Sequence, residues 1–198
     1  MNITVYCGSN EGNDPEFVKR AKELGRWMAE NGHRLVYGAG NHGMMGAISE
    51  ALLEAGGEAT GVTPEFFILD EDTRDDLTEV IISEDMSVRR NTMMELGDAF
   101  IALPGGMGTL DEITEVMTMN RLGLLGDIKK PVMIYNVNGY YDSFFSFLKD
   151  MLGRDFCRQK DYDDVIDVRC IEDIEKALAG AGVFDEERTT RFTQYIDK

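Results

Sequence analysis

Two glutamates and two arginines have the residue types and spacing for chemistry in this sequence. Glu112 and Glu115 lie one turn apart on a predicted helix, so both carboxylates can line one side of a pocket. Arg89 and Arg90 open the preceding predicted helix, and a guanidinium can clamp a phosphate or polarise a leaving group. The same spacing also fits purely structural roles. Thr109-x-x-Glu112 matches a capping box, and the other three residues suit a solvated surface.

A buried strand, a glycine turn and a helix start are predicted to position Glu112. The apolar run 99–103 suits a strand that is covered on both faces. Gly105, Gly106 and Gly108 allow close backbone approaches, and Thr109 is the predicted N-cap of the helix. Such a turn aims free N–H groups and the positive end of a helix dipole at one point. We therefore predict an anion site, with the phosphate of a nucleotide or a sugar as its occupant.

Two more glycine loops follow predicted strands. Gly8 and Ser9 follow the first strand, and the run 38–46, which includes Gly43, follows the second. Because the carboxyl ends of parallel strands share one edge of a sheet, we expect all three loops to meet there.

The whole chain alternates predicted strands with predicted helices. This indicates an α/β fold, a single-domain Rossmann-like three-layer sandwich with a mainly parallel central sheet. We expect one domain over 1–182, an irregular acidic surface loop or lid at 63–77, and a polar C-terminal tail at 183–198. Asp14 and Asp85 are predicted helix caps, and a helix is expected to bury Val18. The predicted strands cover 3–7, 35–37, 58–62, 80–82, 99–103, 131–135 and 164–168.

Composition narrows the partners and the compartment. The 198 residues include 37 acidic and 20 basic side chains, a net charge of −17 that disfavours nucleic acid and anionic membranes as partners. Three widely spaced cysteines without a C-x-x-C motif favour neither a disulfide framework nor a zinc site, so we expect a reducing cytoplasm. The N-terminus enters a strand without a signal-peptide pattern, and no apolar run reaches the ~20 residues that span a bilayer.

The sequence resembles the LONELY GUY family of cytokinin-activating phosphoribohydrolases, whose members were often labelled lysine decarboxylases. The resemblance rests on Pro104-Gly-Gly-Met-Gly-Thr-Leu-Asp-Glu112, on Met86-Ser-Val-Arg-Arg90 and on Asn136-Val-Asn-Gly-Tyr-Tyr-Asp142. It implies hydrolysis of the N-glycosidic bond of a purine riboside 5′-monophosphate, without a metal or an organic cofactor. It also implies a homodimer, for which the phenylalanine cluster 144–147 could supply an apolar interface.

The resemblance assigns catalysis to Glu112 and Arg89. Glu112 would face the ribose, and Arg89 would bind the phosphate or stabilise the departing purine; both roles stay open at this point. The phosphate would lie on the N–H groups of Gly105 to Thr109. The predicted substrate-binding residues are Ser9, Gly43, Met86, Arg90, Gly105, Gly106, Gly108, Thr109 and Glu115.

Departures from the family pattern leave alternative functions open. The family run T-W-x-Q-L-G is replaced here by a run with Met119 and Arg121, at positions where the base or its substituent could be recognised. One alternative is a general purine nucleotide N-glycosidase that acts on plain adenosine monophosphate. Another is a non-catalytic nucleotide-binding module of the same fold. A pyridoxal-dependent decarboxylase is a further rival, but Lys129 and Lys130 precede a strand, at the wrong end for a Schiff base.

Overall fold

The computed structural model describes residues 1–68, 73–126 and 129–180. Strands and helices alternate in them, which confirms the predicted α/β class. The strands are β1 (Asn2–Tyr6), β2 (Arg34–Tyr37), β3 (Ala59–Pro64), β4 (Glu79–Ser83), β5 (Ala99–Ala102), β6 (Val132–Tyr135) and β7 (Val165–Val168). The helices are α1 (Pro15–Glu30), α2 (Gly43–Glu54), α3 (Glu65–Ile68), α4 (Met86–Leu96), α5 (Met107–Leu122), α6 (Asp142–Gly153), α7 (Gln159–Asp163) and α8 (Ile171–Ala179).

The seven strands form one sheet in the order β4-β3-β2-β1-β5-β6-β7. Every neighbouring pair is parallel, so the predicted sheet type is confirmed. The chain builds outward from β1 in one direction through β4, and then in the other direction from β5 to β7. The gap between the carboxyl ends of β1 and β5 is therefore the topological switch point, where such sheets bind ligands.

Helices cover both faces of the sheet and complete the predicted three layers. On one face, α1, α2 and α8 bury residues such as Phe17 and Ile48 against the strands. On the other face, α4, α5 and α6 bury residues such as Met93 and Ile113. The strands between these layers are apolar on both sides, which explains their nearly continuous hydrophobic sequences.

Two predicted helix caps are confirmed. The Asp14 carboxylate accepts a hydrogen bond from the Glu16 N–H at the start of α1. The Asp85 carboxylate accepts from the N–H groups of Ser87 and Val88 at the start of α4. Each aspartate satisfies first-turn donors that the helix itself leaves without a partner.

The predicted start of α5 is wrong. The helix begins at Met107 with Gly106 as its N-cap, three residues before the predicted cap Thr109. Thr109 is buried, and its hydroxyl packs against Gly105, so it does not serve as the cap. The capping-box role of Glu112 fails with it, and that carboxylate is available for another role.

The prediction of an irregular loop over 63–77 is partly wrong. β3 continues to Pro64, because β4 pairs with it as far as Ser83, and α3 follows directly. Thr73 then forms an isolated antiparallel bridge with Gly40. Residues 69–72 lie outside the described part of the chain. Val18, expected to be buried in α1, is only half-buried.

The predicted C-terminal tail and the domain boundary at 182 lie outside the described residues. The short helix α7 has no counterpart in the sequence prediction. Within residues 1–68, 73–126 and 129–180, no helix combines the length and the apolar character that crossing a membrane requires.

Candidate active site

The three glycine loops meet at the carboxyl edge of the sheet, as predicted. The Gly8 N–H donates to the Pro104 carbonyl at 3.1 Å, which joins the loop after β1 to the loop after β5. The Gly8 carbonyl accepts from the Met44 N–H at 3.2 Å, which joins the same loop to the start of α2. Gly43 has a positive φ of 61°, and a Cβ there would lie 2.2 Å from the Ser9 carbonyl oxygen. Only glycine allows this approach.

The turn before α5 has the features of an anion site. A Cβ on Gly105 would lie 2.2 Å from the Thr109 hydroxyl and 2.8 Å from the Gly8 nitrogen, so this glycine is sterically required. Gly106 and Gly108 are exposed, and a Cβ on either would meet nothing within 4 Å. Gly106 has no side chain that could cap the helix, so the first-turn N–H groups of α5 remain available to a ligand.

A cleft of about 250 Å³ opens at this switch point. It brings Ser9 together with Gly105 and Gly106, as predicted from the sequence, and Tyr140 forms one wall. The complete lining is Gly8, Ser9, Asn10, Glu11, Gly12, Phe17, Pro104, Gly105, Gly106 and Tyr140.

Arg89 is buried and is held on three sides. Its Nε donates to the Val62 carbonyl oxygen at 2.9 Å, in the carboxyl half of β3. Its Nη1 donates to Glu112 Oε1, also at 2.9 Å. Its Nη2 packs so closely against Gly38 that a Cβ there would be 2.0 Å away. The guanidinium is thus fixed over the carboxyl ends of β2 and β3, with its charge directed at Glu112.

Glu112 lies one helical turn beyond Thr109 on α5, next to the glycine turn. Burial raises the pKa of its carboxyl group, and the neighbouring Arg89 opposes that rise. Burial raises the pKa of Tyr6 as well, and the negative charge of Glu112 adds to that shift. Glu112 and Arg89 do not line the cleft described above, but a carboxylate whose pKa is shifted by burial and by a specific charged partner is a candidate acid–base residue.

A second arginine–glutamate pair lies beside the first. Arg90 Nε donates to Glu115 Oε2 at 2.8 Å, and Arg90 Nη1 lies 3.7 Å from Asp111 Oδ2. The prediction that both glutamates occupy one face of α5 is therefore confirmed, and each has its arginine from α4. Met86 is half-buried at the first position of α4, one turn before Arg89, and does not line the cleft described above.

Met119 and Arg121 lie further along α5 than Glu112, and their role in recognising the base stays a prediction. The rise of 1.5 Å per helical residue separates Arg121 from Glu112 by about 14 Å along α5. Met119 packs against the core, and Arg121 lines a different cavity, between α5, α6 and α7.

The structure adds residues that were not predicted from the sequence. The Val62 carbonyl orients Arg89, and Tyr6 lies in the core beneath α4 and α5. Tyr140 and Tyr141 donate to the backbone carbonyls of Gly105 and Leu103, just beyond β5. The run 136–142 contributed to the family resemblance, and that was the signal that could have drawn attention to the two tyrosines.

Lysines and metal ligands are not part of this arrangement. Lys130 Nζ donates to the Gly97 carbonyl, just before β5, so it lies at the amino edge of the sheet. No lysine is found among the described residues that line the cleft. The described part of the chain also contains no group of three or more histidine, cysteine or acidic side chains suited to a metal ion.

The parallel sheet, its switch-point cleft and its glycine turns define a Rossmann-like α/β protein. A solved structure of the same fold is the molybdenum cofactor binding protein of Rippkaea orientalis, with a TM-score of 0.67 and 23% identity over 90% of this chain and 94% of that one. A family model described as "Possible lysine decarboxylase" matches residues 45–179.

Two relatives have names that include a reaction. The cytokinin riboside 5′-monophosphate phosphoribohydrolase of Rhodococcoides fascians is 39% identical over 90% of this chain and 87% of its own length. The LOG protein of the same name from Oryza sativa subsp. japonica is 44% identical over 74% of this chain and 59% of its own length. This chain belongs to the LOG (LONELY GUY) family, and the resemblance found in the sequence is confirmed.

Proposed function

We propose that this chain is a nucleoside 5′-monophosphate phosphoribohydrolase that serves cytokinin biosynthesis. It hydrolyses the N-glycosidic bond of a purine, cytokinin-type riboside 5′-monophosphate and releases the free base and ribose 5-phosphate. One observation above all supports this. The buried pair of Glu112 and Arg89 lies one helical turn beyond an uncapped glycine turn, in a chain whose relatives are named for this reaction.

The phosphate of the substrate would bind at the start of α5. The N–H groups of Gly105 and Gly106 have no acceptor among the described residues, and the first helical turn adds further donors and its dipole. The exposed Ser9 lies in the same cleft and can add a hydroxyl donor. The close approach at Gly43 holds the Ser9 loop in place.

Glu112 would act on the ribose. Breaking the bond between C1′ and N9 builds positive charge on the sugar, which a nearby carboxylate stabilises. A water oxygen bonds to C1′, one of its protons passes to Glu112, and the electron pair of the broken bond leaves with the purine, which is then protonated. Because burial raises the pKa of Glu112, this residue is better suited than an exposed glutamate to accept a proton near neutral pH.

Arg89 would orient Glu112 rather than reach for the phosphate. Its Nε is committed to Val62 and its Nη1 to Glu112, and Gly38 limits its movement. The pair formed by Arg90 and Glu115 would line the ribose side of the site. A substrate contact of Met86 stays a prediction.

A pyridoxal-dependent decarboxylase, as the description of the family model suggests, lacks support in the site. That chemistry needs a lysine that forms a Schiff base. Lys130 donates to Gly97 at the opposite edge of the sheet, and Lys129 pairs with Asp164.

A homodimer is part of the proposal. Phe144, Phe147, Leu148 and Met151 follow one stripe of α6 and line an apolar cavity of about 270 Å³ between α5, α6 and α7. Phe147 exposes 61% of its surface, which a second copy of the chain could cover. We place the enzyme in the cytoplasm, in keeping with its three unpaired cysteines.

Product analysis with a panel of purine monophosphates tests the function. We expect free base and ribose 5-phosphate from an N6-prenylated adenosine monophosphate, and the rate on plain adenosine monophosphate decides how broad the specificity is. Binding of all substrates without release of a base would instead indicate a non-catalytic nucleotide-binding module.

The variant Glu112→Gln tests the catalytic carboxylate. We expect a loss of ~10²–10⁴-fold in turnover, the usual contribution of one acid–base group. Asp111→Asn is the matched control, since it removes the neighbouring carboxylate, which is 67% exposed; its rate should stay within about two-fold. A loss of only a few-fold in Glu112→Gln would contradict the assignment.

A further inference from the structure

The hydroxyl of Tyr140 donates a 2.6 Å hydrogen bond to the carbonyl oxygen of Gly105, inside the proposed phosphate turn. The ring of Tyr140 packs edge-on against Phe17 at 5.4 Å and against Tyr141 at 4.8 Å. Two aromatic neighbours therefore fix the ring, and the fixed ring places the hydroxyl.

This bond sets the direction of an amide as well as a carbonyl. A trans peptide unit is planar, so the carbonyl of Gly105 and the N–H of Gly106 point in opposite directions. The same rule applies one residue earlier, where the Pro104 carbonyl accepts from the Gly8 N–H and thereby orients the N–H of Gly105. The carbonyls of two successive peptide units, those of Pro104 and Gly105, are thus fixed by hydrogen bonds. The N–H groups on the opposite side of these units remain available to bind an anion.

Tyr141 makes a similar bond with a different consequence. Its hydroxyl donates to the Leu103 carbonyl oxygen at 2.8 Å, in a buried position. The amide that follows this carbonyl belongs to Pro104, which has no N–H. The bond from Tyr141 fixes the chain but directs no donor toward a ligand.

We infer that Tyr140 is a positioning residue for the substrate phosphate, because it orients the N–H of Gly106 through the carbonyl of Gly105. The inference rests on the proposed function for the identity of the ligand. It predicts that the affinity for the terminal phosphoryl group depends on a hydroxyl that need not touch the substrate.

The test compares Tyr140→Phe with Tyr141→Phe, using ribose 5-phosphate as the calorimetric probe. Each variant loses one hydroxyl-to-carbonyl bond and keeps its ring. For Tyr140→Phe we expect the Kd of ribose 5-phosphate to rise roughly 2- to 12-fold, the ratio that the loss of one net hydrogen bond gives. For Tyr141→Phe we expect a lower melting temperature and an unchanged Kd.

A second measurement separates positioning from a general structural effect. Inhibition of the hydrolysis by free adenine should be the same in wild type and Tyr140→Phe, because adenine has no phosphate. Equal losses for adenine and ribose 5-phosphate, or equal Kd changes in the two variants, would overturn the inference.

The outcomes also keep the two proposals apart. If the wild type hydrolyses monophosphates but Tyr140→Phe binds ribose 5-phosphate normally, the hydrolase proposal stands and the role of Tyr140 falls. If the wild type binds ribose 5-phosphate more tightly than Tyr140→Phe but releases no base, the role of Tyr140 stands and the hydrolase proposal falls. If the wild type does not bind ribose 5-phosphate, the role of Tyr140 falls, and the release of free base still decides the hydrolase proposal.

Discussion

One added methyl group at Gly38 can displace Arg89 without touching Glu112. The Cβ of Gly38→Ala would lie 2.0 Å from Arg89 Nη2, whereas an ordinary contact begins near 3.4 Å. The guanidinium must therefore retreat by about 1.4 Å. The bond from Arg89 to Glu112 measures 2.9 Å, so it can lengthen by only about 0.6 Å before it passes 3.5 Å. We therefore expect this substitution to disturb the pair seen in the structure.

The cost to stability and the cost to activity should differ. The obstructing atom is the end of a side chain, so we expect a modest loss of about 1 kcal/mol in the free energy of unfolding, at the low end for overpacking. A shift of about 1 Å in a catalytic group can cost about 10²-fold in rate. We therefore expect Gly38→Ala to lose about 100-fold in kcat/KM while it remains folded.

Release of free base, followed by chromatography, gives the rate, and thermal unfolding gives the stability. Gly153→Ala is the matched control, because a Cβ at Gly153, the last residue of α6, meets nothing within 4 Å. Its activity should equal that of the wild type. Full activity in Gly38→Ala would refute the idea that the position of Arg89 controls the site.

Two further predictions concern stability. Gly25→Ala would place a Cβ 2.4 Å from the Ile48 carbonyl oxygen, where α1 packs on α2. We therefore expect the free energy of unfolding to fall by ~2 kcal/mol and the melting temperature by about 4–8 °C, with an unchanged kcat. An unchanged melting temperature would contradict this prediction. The second concerns pH. Burial raises the pKa of Glu112 in the folded protein above the ordinary value of 4.5, so its contribution to stability is present below pH 4.5 and is lost as the pH rises through the raised pKa. The melting temperature of Glu112→Gln relative to wild type should therefore increase as the pH rises from 4.5 toward neutrality, and a constant difference would contradict this.

The alternation of strands and helices and the edge of the sheet at which the glycine loops meet could be predicted from the sequence, because these depend on local patterns. The apolar run 99–103 and the glycines that follow it indicate a buried strand and a tight turn, and both are confirmed. Asp14 and Asp85 were recognisable as caps, because a cap bonds only to residues two or three positions away. The spacing of Glu112 and Glu115 placed them on one helix face for the same reason.

The partners of the site residues could not be predicted, because they come from distant parts of the chain. The local sequence does not indicate that Arg89 bonds to Glu112, which is 23 positions away. Nor does it indicate that the Nε of Arg89 donates to the Val62 carbonyl. The start of α5 was misplaced because the packing of Thr109 against Gly105, seen only in the folded chain, removes the apparent cap.

Motifs in this sequence thus determined which residue types stand at the end of which strand. Tertiary structure alone decided which of them meet and which face solvent, and at what angle each donor points. The physical reason is the distance along the chain over which each kind of interaction acts. Helix periodicity, caps and turns act over a few residues, whereas burial and ion pairing depend on how the sheet brings separate segments together.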